Sequence, residues 1–470
     1  MLLLAAYLRL NHLEWTEFKQ DEANLSQIAY HMARTGEIPL RSIGASTGVV
    51  NLPLAAWLLA IPYAVSGSPL VATAFLAGLN VLAVALCYAM TRRWSQSWSD
   101  HDGLGALAAA LLFAVAPWAV VYSRKLWAND FLPLFVVGWA WTGWLTFVRR
   151  KPWWLIAHVI LLGAAIQLHY SALMLGPVSA VWCLAFIKRV SWRVGLIAAV
   201  VFGLLFAPFL IADAQLGFPN ATRFIALFQQ PSTTDTSAVN NAWLLTTGLE
   251  VHSLAGPQEF ENFRALVPWA DGISWLVGLL VIGGVIVAAI DVLQAILRRT
   301  WDDRSAMALL LATWVLIPIV GQLSHRTPLY VHYFLPILPA PFVVVGYLVA
   351  RLQTVVTAGP NGAKQAPHST MRLRRRWTAL LAMTLIGIIA LAQAVQTITL
   401  QQFVASRPTP GAMSIPIGYY ERIVNEAKQA LKETGGAEII VNTVGSNVNA
   451  EEYPAIFNFL LSDVPHRFVD

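Results

Sequence analysis

The chain has two cysteines, Cys87 and Cys183, in 470 residues, and both fall inside apolar runs. That excludes a disulfide framework and a thiolate zinc site, leaving two buried thiols. Acidic residues are scarce as well: 25 Asp and Glu, in a chain whose side chains are 57% hydrophobic. The sequence carries no internal repeat, no P-loop and no Gly-rich dinucleotide fingerprint, so nucleotide-dependent chemistry of those kinds has no footing in it. It does carry long apolar runs, 19 Trp and a mean hydropathy of +0.59. These exclude an ordinary soluble domain, because several runs approach or exceed the ~20 residues needed to cross ~30 Å of hydrocarbon. Basic residues outnumber acids, but their placement points to the lipid bilayer and not to nucleic acid.

Spans are read at 69–91, 104–122, 130–148, 153–168, 171–187, 192–211, 271–297, 305–322, 328–350 and 377–398, with a first one ending near Leu13. The loops between them alternate in charge. Arg92 and Arg93 fall on one side, as do Arg149, Arg150 and Lys151, then Lys188, Arg189 and Arg193, then Arg298, Arg299 and Arg304. Arg351, Lys364, Arg372, Arg374, Arg375 and Arg376 join them, so that these loops hold more than half of the 31 Lys and Arg. The positive-inside rule makes this side cytoplasmic. The other side holds the long segments at about 14–68, about 212–270 and beyond about 399.

This parity decides the reading of residues 51–65, which are apolar but short and contain Pro53 and Pro62. Counted as a crossing, they would reverse every later loop. They are therefore read as an interfacial or re-entrant helix on the outer face. The result is an all-α polytopic membrane protein of about eleven transmembrane helices, with the N-terminus inside and the C-terminus outside. The first span, residues 1–13, is interrupted by Arg9 and too short to cross, as expected of a start site placed too late or a truncated chain; the competing reading is a signal peptide, though a basic n-region and a small-residue cleavage site are lacking. Residues 153–187 must cross in both directions, which predicts two short helices. Their polar hinge, Gln167 to Ser171, then lines a cavity. The chain divides into a membrane domain, 1–398, and a small outer segment, 399–470. The latter reads as an α/β appendage, with a helix over 419–432, a turn at Gly435 and Gly436, and a buried strand over 438–442. Residues 357–371 have the composition of a linker.

Three polar groups converge on the outer side. Asp21 and Glu22 stand together after the first span. Adjacent carboxylates beside a bilayer are costly to desolvate, and have either a task or a helix N-terminus to cap. Arg124, Lys125 and Asp130 lie in the short loop after Tyr122. His325 and Arg326 precede His332 and Tyr333. A carboxylate can act as a general base toward an acceptor hydroxyl or hold a divalent metal, and Arg or Lys can hold a phosphate. A lipid-phosphate donor attacked by a hydroxyl needs such parts. Asp21 and Glu22 are the candidate catalytic pair; on a helix their side chains diverge by about 100°, so they take different roles. Arg124, Lys125, His325 and Arg326 are the candidate phosphate ligands. His169, Tyr170, Asp130, His332 and Tyr333 are the candidate cavity lining. Glu22 and His252 are the candidate ligands of a possible divalent metal ion.

The order of these motifs resembles the GT-C-fold glycosyltransferases, in particular the dolichyl-phosphate-mannose protein mannosyltransferase-like group and the bacterial lipid A aminoarabinose transferases. The resemblance begins at Asp21 and Glu22. It continues through the stretch Asn51, Leu52, Pro53, Leu54, with Leu52 where a first proline often stands, and through Gly67, Ser68, Pro69. Tyr122, Ser123 and Arg124 with Asp130 follow. Then come Gln167, Leu168, His169 and Tyr170, with His169 where others carry Lys, and finally His332, Tyr333 and Pro336 with Pro339. It covers residues 14–350. The resemblance implies inverting transfer of a monosaccharide from a polyprenyl-phosphate donor to an acceptor (lipid, glycan or protein) on the outer face of a bacterial plasma membrane. It assigns the base, and in some members a metal ligand, to the acidic pair. The other classes are a transporter or lipid flippase, which predicts ionisable residues inside spans, and a catalytically silent membrane scaffold.

Overall fold

The computed structural model describes residues 1–44, 48–98, 103–358, 368–409 and 411–469, with the side chains of 354–358 and 368–376 left aside. Lys364, most of the linker expected at 357–371, and the side chains of Arg372, Arg374, Arg375 and Arg376 thus lie outside the described residues.

The chain opens with α1 (Leu2–Leu10), α2 (Gln20–Thr35), α3 (Leu54–Val65) and α4 (Pro69–Trp94). α5 (Leu104–Val115), α6 (Pro117–Tyr122), α7 (Leu132–Phe147), α8 (Trp154–Leu168), α9 (Leu175–Ala185) and α10 (Trp192–Gln215) follow. The long connection after α10 holds α11 (Pro219–Gln229), a two-residue strand β1 (Thr233–Thr234), α12 (Ser237–Thr247) and α13 (Phe260–Leu266). Next come α14 (Ala270–Arg298), α15 (Asp303–Val320), β2 (Ser324–His325), α16 (Ala340–Ala358) and α17 (His368–Ala405). The tail is α18 (Ile417–Thr434), β3 (Ile439–Asn442), α19 (Glu452–Leu460) and β4 (His466–Val469).

Among the described residues, five helices are long and apolar enough to cross a membrane: Pro69–Trp98, Trp192–Gln215, Ala270–Arg298, Asp303–Val320 and Trp377–Ala405. A sixth crossing is made if Val331–Ile337 and Ala340–Gln353, bent by 48° at Pro339, act as one. Leu54–Val65, Leu104–Val115, Trp154–Leu168 and Tyr170–Ala185 are shorter apolar helices. The polytopic all-α architecture is thus as read, although the eleven expected spans are not all full-length helices.

Two departures have clear causes. The span expected at 104–122 breaks between α5 and α6, because Pro117 has no N–H to give the carbonyl of Phe113. Arg9 repairs the break. Its buried guanidinium donates to the Phe113 oxygen at 3.3 Å and the Ala114 oxygen at 2.6 Å. The cation that interrupts α1 therefore ties it to α5. α1 itself spans nine residues.

α3 is a twelve-residue helix lying against α2, too short to cross, as expected of residues 51–65. Ser68 caps α4 by accepting from the Leu70 N–H at 3.2 Å, with Pro69 at the first helical position. α8 and α9 are the short pair predicted for 153–187. In the tail, Gly435 ends α18 in the left-handed conformation, and β3 pairs in parallel with β4. β3 is half exposed, where the sequence pattern suggests a buried strand, because β4 is its one partner among the described residues and α18 covers one face.

Candidate active site

The site forms where the loop before α2, the loop after α6 and the turn before α16 meet. Phe18 anchors the first loop by burying its ring against Phe459 of α19, with ring centres 5.8 Å apart. Lys19 is the N-cap of α2, and its backbone N–H donates to the Glu22 carboxylate at 3.1 Å. Glu22 thus caps its own helix. It is fully buried and also pairs with Lys125 Nζ at 3.1 Å.

Asp21, one position earlier, turns to the other side and is exposed in the wall of a cleft of about 870 Å3. Among the described residues it forms no direct ion pair. The carboxylate pair therefore divides as helix geometry requires.

Lys125 is 7% exposed and sits over the Trp127 ring at 3.4 Å. Besides Glu22 it contacts Glu17, whose second oxygen takes Lys19 Nζ at 3.0 Å. Glu17 is a site residue that the sequence reading did not single out; it lines the cleft beside Asp21. Burial raises the Glu17 carboxyl, but the charges of Lys125 and Lys19 outweigh burial and the net shift is downward. Glu22 shifts the other way, since burial and the neighbouring Glu17 charge exceed the pull of Lys125. Asp21 is also raised, by desolvation at the cleft wall against the pull of Lys125 and Lys19. Lys125 is raised: burial disfavours its charge, but Glu17 and Glu22 hold the proton.

The opposite wall is aromatic. His332 meets Tyr333 with ring centres 4.6 Å apart, Trp127 at 4.9 Å and Tyr330, stacked, at 5.7 Å. His169 lies 5.3 Å from Tyr333 and 6.0 Å from His332. The Ser171 N–H donates to His169 Nδ1 at 3.2 Å, which puts the proton of a neutral ring on Nε2. Asn51, from the motif before α3, lines the cleft as well.

The tail supplies a third wall: Gly411, Ala412 and Met413 close the cleft, and Lys19 Nζ donates to the Ala412 carbonyl. The Ile417 N–H then donates to the Thr16 carbonyl at 2.9 Å.

Five of the expected site residues lie outside the cleft wall. Arg124 is buried and faces away from the cleft, donating to the Leu8 carbonyl at 3.2 Å and to those of Asn11 and His12 at 2.6 Å. It satisfies the open carbonyls at the end of α1, and desolvation lowers its pKa to about 10. His325 and Arg326 are not in the cleft wall. His325 bonds the Thr327 carbonyl at 2.8 Å and Asp235 at 3.2 Å, and Arg326 donates to the Gln230 carbonyl at 3.1 Å. Tyr170 donates to the Val50 carbonyl at 2.9 Å and packs on Phe224, outside the cleft. Asp130 is buried and does not line the cleft.

Glu22 and His252 do not form a metal site together. Glu22 is taken up by Lys125 and Lys19, whereas His252 lines a different pocket with Glu261, Arg264 and Asp271. Among the described residues no group of three or more His, Cys, Asp or Glu is placed to share an ion.

No protein-family model matches the sequence, and no curated protein is similar to it in sequence. Solved structures do match. ArnT from Cupriavidus metallidurans bound to undecaprenyl phosphate superimposes with a TM-score of 0.56 at 14% identity, over 100% of this chain and 85% of that one. The chain has the ArnT fold. ArnT in the apo state gives a TM-score of 0.54 at 16% identity, over 100% of this chain and 84% of the other. ArnT is a lipid A aminoarabinose transferase of the GT-C fold, so the resemblance read from the order of the motifs holds for the architecture. The ArnT fold together with the apolar helices makes this an integral membrane protein.

Proposed function

We propose that this protein is a glycosyltransferase that moves one monosaccharide from a polyprenyl-phosphate donor to an acceptor hydroxyl in the cleft, on the outer face of a bacterial plasma membrane. The observation that carries the reading is the meeting, in one cleft, of Asp21, a carboxylate with no direct ion pair among the described residues, with Lys125 and Lys19. These are the parts a displacement at an anomeric carbon needs.

In this reading Asp21 takes the proton of the acceptor hydroxyl. The oxygen attacks the anomeric carbon, the bond from that carbon to the phosphate oxygen breaks in line, and the polyprenyl phosphate leaves with the bonding pair. Configuration inverts in the single step. Lys125 and Lys19 meet the charge that grows on the leaving phosphate. Glu17 and Glu22 keep Lys125 protonated and aimed. Trp127, Tyr330, His332 and Tyr333 offer faces for a sugar ring to stack on. The solved ArnT complex with undecaprenyl phosphate supports a lipid-phosphate donor.

The test is transfer by the purified protein from a polyprenyl-phosphate-linked sugar, read by mass spectrometry of the products. Loss of transfer in Asp21→Asn with folding intact is the expected result. Undiminished transfer would sink the assignment of the base, and transfer from a soluble nucleotide sugar alone would sink the lipid donor. A reporter fused after the last residue should be active only in the outer compartment; cytoplasmic activity would move the cleft to the wrong side.

A further inference from the structure

A second cavity lies at the other end of α8 from the cleft. It is a groove of about 590 Å3 between α9 and α10, floored by α8. Small side chains carve it: Ala180 and Cys183 on α9, Gly195, Ala198 and Ala199 on α10. A Cβ placed on Gly195 would meet no atom within 4 Å, so the space beside it is open. The one imidazole on the floor, His158, is already satisfied. Its ring nitrogens bond the Trp139 carbonyl at 2.9 Å and the Ser179 hydroxyl at 3.0 Å. The groove therefore asks for hydrocarbon and offers no polar handle along its length.

Its lip is different. Ile187, Val190, Ser191 and Trp192 line one end and are interleaved with Lys188, Arg189 and Arg193. Arg149, Arg150 and Lys151 approach from the loop between α7 and α8: Arg189 Nη1 reaches the Phe147 carbonyl at 2.6 Å and feels the Arg150 charge. Among the described residues, Asp303 is the acidic side chain paired with this rim, 4.0 Å from Arg149. Six cations against one carboxylate leave a site for an anion. Trp153, Trp154 and Trp192 are 64%, 43% and 73% exposed at the same level, where indoles settle at the boundary between hydrocarbon and headgroups.

We propose that this groove binds one anionic glycerophospholipid of the leaflet at the basic end. An acyl chain lies along α10, and the headgroup phosphate sits at Lys188 and Arg193. Basic pockets between membrane helices bind such headgroups, each Lys or Arg adding about a fivefold preference. The site is separate from the proposed donor site: the fifteen residues of α8 hold the two ends about 22 Å apart, so one phosphate cannot serve both.

Native mass spectrometry of the delipidated full chain tests this, with phosphatidylglycerol, phosphatidylcholine of the same acyl chains, and undecaprenyl phosphate as probes. One phosphatidylglycerol adduct should persist, favoured over phosphatidylcholine on the order of tenfold. Ala199→Leu should fill the groove and remove the adduct. Ala180→Leu fills it from the opposite wall, and serves if the first variant fails to fold. Lys188→Gln combined with Arg193→Gln should keep an adduct but abolish the preference. Equal retention of both phospholipids by the unmodified chain, an adduct that survives both leucine variants, or displacement by equimolar undecaprenyl phosphate would each overturn the proposal.

Discussion

Two clusters of cations on the proposed outer face look alike in sequence and differ in place. Lys125 is enclosed, held between Glu17 and Glu22 with an indole beneath it. Arg326 is exposed at the corner made by β1 and β2, where it donates to a backbone carbonyl; His325 beside it reaches Asp235. An ion pair in water gains little, because solvent screens it and the side chains lose freedom. A buried charge that loses its partner is left with an uncompensated desolvation cost of several kcal/mol. What separates a site from a surface is therefore the enclosure, which a list of residue types does not give.

Mutations can break or sharpen this contrast. The largest effect is expected for Lys125→Met, which takes the cation from fully buried Glu22 and leaves Glu17 with Lys19 alone. It should cost about 3–5 kcal/mol and abolish transfer, read by thermal unfolding in detergent and by turnover. A melting temperature equal to that of the unmodified protein would show that the network is no more than a surface pair. Next is Asp21→Asn. Turnover should fall about 10²–10⁴-fold while thermal stability stays the same.

Desolvation raises the Asp21 carboxyl, so the base keeps its proton at pH values where a free Asp, near 3.9, has lost it. Turnover should therefore rise with pH through that raised pKa. A kcat/KM profile with no acid limb would remove Asp21 from the role. Arg124→Lys comes third. One ammonium cannot reach the Asn11 and His12 carbonyls together, while the Leu8 carbonyl keeps Gln401 Nε2 at 3.0 Å; a part-buried carbonyl left open costs about 1 kcal/mol. Stability should drop with KM for the lipid donor unchanged; a raised KM with full stability would return Arg124 to the phosphate. The smallest effect belongs to His325→Ala and Arg326→Ala, both expected to keep turnover within twofold and to leave unfolding unchanged.

Much of the frame was legible because it rests on long apolar runs, whose length the bilayer dictates. The short pair at 153–187 followed from the length available for two crossings, and the non-crossing helix at 51–65 from the charge parity of the later loops; the break at Pro117 was not read, although its cause is local. In the candidate site, Asp21 and Lys125 were read as candidates from the sequence and both line the cleft, and the divergence of Asp21 from Glu22 follows from helix geometry. Arg124 was misread because it and Lys125 are neighbours that point opposite ways, and nothing local says that the end of α1 lies beneath one of them. Glu17 was missed because a lone Glu in a polar stretch looks solvated. Its faint signal was the alternation Glu17, Lys19, Asp21, acids and a base on one side of an extended segment entering a helix. The fastening of Thr16 to Ile417 had no signal, since it joins positions at opposite ends of the chain.

That fastening makes the cleft a joint product of distant parts of the chain. Thr16 and Ile417 meet through a backbone bond, and Lys19 reaches the carbonyl of Ala412, 393 positions away. A cut in the connection between α17 and α18 would spare the apolar helices that precede it and free the third wall of the cleft.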